Sequence, residues 1–75
     1  MTDTYILKYI EFLSRAPDTQ IDTAITTRFK QWIEKPELIT ASNMKQVLDE
    51  CAYSSLASDF AMGLMNEIWN RIKET

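Results

Sequence analysis

The chain is 75 residues long, 45% hydrophobic and 25% charged, with a formal charge of −3, one cysteine and no histidine. A chain of that length makes one domain, 1–75, that buries only about 60% of its unfolded surface and has no disulfide to hold it. One cysteine without histidine excludes a closed zinc site, and interspersed charges with no basic run argue against nonspecific binding to nucleic acid or anionic membrane.

In chain order, MTDTYILKYI is expected not to be a secretion signal, since it lacks a charged start and a long apolar core. No apolar run approaches the roughly 20 residues of a membrane-spanning helix. A single free thiol suits a reducing compartment, so the expected location is cytoplasmic. The spacing predicts a first helix over 4–15, capped by Thr2 or Asp3, with Tyr5, Ile6, Tyr9, Ile10, Phe12 and Leu13 on one side. Lys8, Glu11 and Arg15 fall on the other side, and Leu7 lies off the stripe. Pro17 ends this helix by pushing the residue before it out of the helical region.

A second helix is predicted over 19–34, capped by Asp18 or Thr19, with Ile21, Ala24, Ile25, Phe29, Trp32 and Ile33 as its apolar stripe. Arg28 falls inside that stripe. Its stem is expected to pack and its head to reach water, with a buried anion or carboxylate partner as the alternative. Pro36 stops the helix, and Leu38 and Ile39 are expected to tuck against the core. A third helix over 41–53, capped by Thr40 or Ser42, carries a narrow stripe of Met44, Val47, Leu48, Cys51 and Ala52. Its wet side holds Lys45, Gln46, Asp49 and Glu50.

The last predicted helix, 55–72, is capped by Ser55 or Ser54. Leu56, Ala57, Phe60, Ala61, Leu64, Ile68 and Ile72 form one stripe, and Met62, Met65 and Trp69 widen it. Together they span roughly 240° of the helical wheel, against the ~100° usual for a surface helix. Glu67 and Arg71 interrupt the arc at the favourable i,i+4 spacing. A surplus of this kind fits either a central helix buried by the other three or a helix with two faces. Leu56, Phe60, Leu64 and Ile68 are assigned to the chain's own core. Met62, Met65, Trp69 and Ile72 are assigned to a protein partner or a second copy, with Tyr5 and Leu7 as further contacts. Met is adaptable and Trp offers a large contact area, which suits that role.

Catalytic chemistry is not indicated. Cys51 has no histidine to activate it and sits on an apolar stripe. Asp49 and Glu50 diverge on a helix. Gly63 is the only glycine, so no phosphate-binding glycine-rich loop is present, and no acidic calcium loop occurs. Ser55-Leu56 at the start of an apolar helix is similar to the serine site of acyl carrier proteins. Ser54, however, stands where that family has an aspartate, and too little chain follows for its remaining helices. The expectation is therefore an all-α domain of four helices, a small bundle or orthogonal array. Neither an enzyme nor a cofactor, metal or small-molecule substrate is expected. The function expected is a non-catalytic protein-interaction module, self-associating or regulatory. The alternative is a small DNA-binding or nucleoid-associated regulator, in which helix two and TASNMKQVLDE form a helix-turn-helix and Ser42, Asn43, Lys45 and Gln46 read a groove.

Overall fold

The computed structural model describes residues 4–74. Four α-helices make up the fold: α1 Thr4–Ser14, α2 Thr23–Glu34, α3 Ala41–Ser54 and α4 Asp59–Lys73. A 3-10 turn, Pro36–Leu38, links α2 to α3. The all-α expectation therefore holds for the described residues. The caps expected at Thr2 or Asp3 lie outside them.

Local chemistry sets the helix starts. Asp22, not Asp18 or Thr19, caps α2, its carboxylate accepting from the Ala24 N–H at 2.9 Å. The intervening residues 18–20 form a turn in which the Gln20 and Ile21 N–H groups donate to the Pro17 carbonyl. Thr40 caps α3 through the Asn43 N–H at 3.1 Å. Ser58 caps α4 through the Ala61 N–H, also at 3.1 Å. Asp59 in the first turn of α4 and Arg71 and Lys73 in the last both suit the helix dipole.

The start of α4 differs from the expected 55–72. Ser55 takes a left-handed conformation, φ 54° and ψ 46°, which closes α3. Leu56 and Ala57 then run extended and pair with the first interhelical connection. The Asp22 N–H donates to the Leu56 carbonyl at 2.8 Å, and the Ser58 N–H donates to the Gln20 carbonyl at 2.7 Å. A single antiparallel bridge, Ile21 to Ala57, results. The two connections are thus tied to each other, and Ser58, whose hydroxyl also donates to Gln20 Oε1, caps α4.

Packing is chiefly α1 on α2, α1 on α4 and α3 on α4. One hydrophobic cluster draws from all four helices: Ile6, Ile10 and Leu13 of α1, Ile25, Phe29 and Trp32 of α2, Met44, Val47 and Cys51 of α3, and Ala61, Met65 and Ile68 of α4. Phe29 and Trp32 meet edge to face at 5.2 Å, an arrangement adding about 0.5–1.5 kcal/mol beyond burial. Among the described residues, the two buried polar side chains are satisfied locally. Ser14 Oγ donates to the Glu11 carbonyl and Thr26 Oγ1 to the Thr23 carbonyl.

Arg28 does not simply extend into water. Its guanidinium donates to Glu50 at 2.6 Å and joins α2 to α3. Both side chains are partly exposed, so this pair contributes at most about 1 kcal/mol.

Candidate functional site

The wide apolar arc of α4 resolves into three strips. Ala61, Met65 and Ile68 point inward and are buried. On one flank, about 90° round the wheel, Met62 and Trp69 face α3 and pack half-buried against the core. On the other flank, Phe60, Leu64 and Arg71 face α1.

The α3 flank is sealed. The Trp69 ring is covered by the Lys73 ammonium at 4.2 Å and approached by Lys45 of α3 at 5.9 Å. Lys45 also pairs with Asp49 at 2.8 Å.

The seam between α1 and α4 changes along its length. Near the end of α4, the Arg71 guanidinium lies 5.1 Å from the Tyr5 ring centre and 5.8 Å from that of Tyr9. Glu67 holds that guanidinium in place at 3.1 Å. Toward the start of α4 no such cover exists. Phe12 of α1 and Phe60 of α4 meet edge to face, 6.5 Å between ring centres, yet are 57% and 63% exposed. They stand over a concave groove of about 580 Å³ whose apolar lining includes Leu13, Pro17 and Ala61. Its rim carries Lys8, Glu11, Arg15 and Gln20.

Two large aromatic rings this exposed and in contact with each other form a patch, not the scattered apolar exposure normal on any surface. Tyr53, 93% exposed near the end of α3, is exposure of the ordinary kind. Among the described residues, the Lys8 ammonium and the Arg15 guanidinium meet no carboxylate, as is also true of Lys30, Lys35 and Lys73, whereas Arg28, Lys45 and Arg71 each do.

These positions correct the two-face assignment of α4. Met65, assigned to a partner, is 0% exposed and part of the core. Phe60, assigned to the core, is the most exposed apolar side chain of α4. Met62, Trp69 and Ile72 are half-buried against the chain itself. Tyr5 is exposed but sits beneath Arg71, and Leu7 is half-buried. The residues missed are Phe12 and Phe60. A signal was present, because Tyr5, Tyr9 and Phe12 fall along one flank of α1, outside the Ile6–Ile10–Leu13 ridge.

The four candidate groove-reading residues all lie in the first two turns of α3. Asn43 Nδ2 donates to the Leu38 carbonyl at 2.7 Å, tying α3 to the 3-10 connection. Lys45, the only cation of α3, is paired with Asp49. Ser42 and Gln46 are exposed.

Among the described residues no cluster of three His, Cys, Asp or Glu side chains could hold a metal ion, and no helix is long and apolar enough to cross a membrane. Cys51 is buried and unpaired by any disulfide. Burial pushes its thiol pKa above the ordinary 9.0. Glu50 and Asp22 add to the shift, and Arg28 opposes it. Compared with family models, curated proteins and solved structures, the chain matches none.

Proposed function

We propose that this chain is a non-catalytic protein-interaction module whose docking surface is the open groove between α1 and α4. The observation that carries this is the exposed Phe12–Phe60 pair standing over that groove. Aromatic side chains supply large contact areas and dominate binding hot spots. A groove between two helices is also a recurrent seat for an amphipathic segment of another protein. A small ligand suits it less well. Such sites bury about 70–90% of the ligand's surface, whereas both walls here are themselves largely open to solvent. The buried thiol of Cys51 supports a reducing, cytoplasmic setting for this function.

The test is a selection from a random-peptide display library, counter-selected with the Phe60→Asp variant. Peptides that bind the wild type with a Kd below about 100 μM, and that shift amide resonances of Phe12, Phe60 and Ala61, are expected. A library yielding no binder dependent on Phe60 would overturn the assignment.

A further inference from the structure

We infer that the segment this groove accepts is acidic: a stretch of another protein that places large apolar anchors between Phe12 and Phe60 and sets Asp or Glu side chains against Lys8 and Arg15. This rests on the interaction reading above and specifies its partner. The observation is a local reversal of charge sign. The chain carries −3 overall, yet the groove rim carries two cations, Lys8 and Arg15, against one carboxylate, Glu11. Outside the groove, among the described residues, Arg28, Lys45 and Arg71 are matched by Glu50, Asp49 and Glu67, while Lys30, Lys35 and Lys73 are not, so it is the local balance of charge at the rim that sets the groove apart. At the rim the two cations have no carboxylate contact among the described residues. Lys8 lies on α1 and Arg15 in the turn that directly follows it, seven positions on, and both line the same groove.

One closed arrangement of two copies is disfavoured by charge. A closed dimer pairs the same patch on both chains. A two-fold axis midway between Glu11 and Phe12 would set Lys8 against the partner's Arg15, like charge on like charge. A basic segment would meet the same two cations. An acidic one meets opposite charge at the rim. The net negative charge of the rest of the chain is largely screened beyond about 8–10 Å at physiological salt. Rim charges of this kind contribute more to selectivity and association rate than to raw affinity.

The test uses two fluorescein-labelled peptides with identical Leu and Phe anchors, one with Glu and the other with Lys at the flanking positions. Fluorescence anisotropy at physiological salt is expected to favour the Glu peptide by roughly five- to tenfold, the range that two exposed ion pairs supply. The preference should shrink as salt rises. In the Lys8→Glu/Arg15→Glu variant it should vanish or invert. A Lys30→Glu/Lys35→Glu control makes the same change in net charge on exposed residues outside the groove lining. It should keep Glu-peptide binding within about twofold, if the rim and not the overall charge selects.

Equal binding of the two peptides, or a Lys-peptide preference, would overturn the acidic assignment while leaving the groove a docking surface. A wild type found dimeric by light scattering, and monomeric as Phe60→Asp, would overturn it in favour of a second copy. Failure of both peptides would also overturn it. If the display selection still yields Phe60-dependent binders, only the partner class fails. If it yields none, the interaction reading fails as well.

Discussion

The two flanks of α4 begin from similar material and end differently. Met62 and Trp69 lie on one flank, Phe60 and Leu64 on the other, and all four are large and apolar. Toward α3, Trp69 is held half-buried and its ring is covered by Lys73. Toward α1, the Arg71 guanidinium lies over Tyr5 and Tyr9 at one end of the seam, although Tyr5 is as exposed as Phe12, and no such cation lies over the rings at the Phe12–Phe60 end. The difference comes from what stands opposite, not from the residue types of α4. Surplus apolar surface on a helix therefore reports that some flank is open, but not which one. The comparison can be broken by substitutions that rank the three strips of α4 by their cost to stability.

The largest effect is expected at the inward strip. Met65→Ala empties a fully enclosed position and should cost about 2–5 kcal/mol, a large share of the roughly 4–11 kcal/mol available to a domain of this size. Urea denaturation of wild type and variant measures it. A loss under about 1 kcal/mol would return Met65 to the surface and restore the original two-face assignment.

The sealed flank should give an intermediate cost. Trp69→Glu removes the ring that packs beside α3 and beneath Lys73, and should destabilise by about 1–3 kcal/mol. The new carboxylate lands near Lys45 and Lys73, which limits the loss. The mass measured by light scattering should not change. A Trp69→Glu chain of unaltered stability but altered mass would show that this flank meets another chain after all.

The inner wall of the same half can be probed through Cys51 on α3. Its folded-state pKa is raised by burial, so the thiol contributes stability that is fully present below the unfolded value. That contribution is lost as pH rises through the folded value. Stability should therefore decline as the solution is taken above about pH 9, where the unfolded chain ionises first. The thiol should react slowly with a labelling reagent in buffer and quickly in denaturant. Rapid labelling in buffer would mean that the α3 side is as open as the groove.

The strips differ in how far the amino-acid sequence discloses them, for physical reasons. The narrow stripe Met44–Val47–Leu48–Cys51–Ala52 has only one way to be buried, and all but Ala52, at its edge, are buried. The ridge Ile6–Ile10–Leu13 and the pair Phe29–Trp32 behave in the same way. A 240° arc has several orientations consistent with helical spacing, and neighbours distant in sequence decide among them. The same holds for the start of α4. Ser55 and Ser58 are equally good caps by residue type. What excludes Ser55 is the left-handed turn it adopts and the pairing of Leu56 and Ala57 with residues 20–22. Asp22 is chosen over Asp18 as the α2 cap by the turn that Pro17 begins. Helical spacing places Phe12 on the apolar side of α1. Its exposure depends on α4 leaving that end of the seam uncovered.

The smallest effect on stability is expected on the open flank, and it is the sharpest test of the comparison. Phe60 is largely exposed, and its principal ring contact is the edge of Phe12. Phe60→Ala gives up that contact, worth about 0.5–1.5 kcal/mol at most. It also gains about 0.5 kcal/mol because alanine is the better helix former. The two terms nearly cancel, so the variant should unfold within about 0.5 kcal/mol of wild type, the scatter of ordinary surface changes. Binding should behave oppositely. Removing one of the two rings that frame the groove should weaken Phe60-dependent peptides at least about tenfold, as truncation of an aromatic hot spot does. A helix position neutral for folding and costly for binding is what an open docking flank requires. If Phe60→Ala instead costs as much stability as Met65→Ala, the ring is part of the core in solution. The seam would then be closed along its whole length, and the groove would not exist as a docking surface.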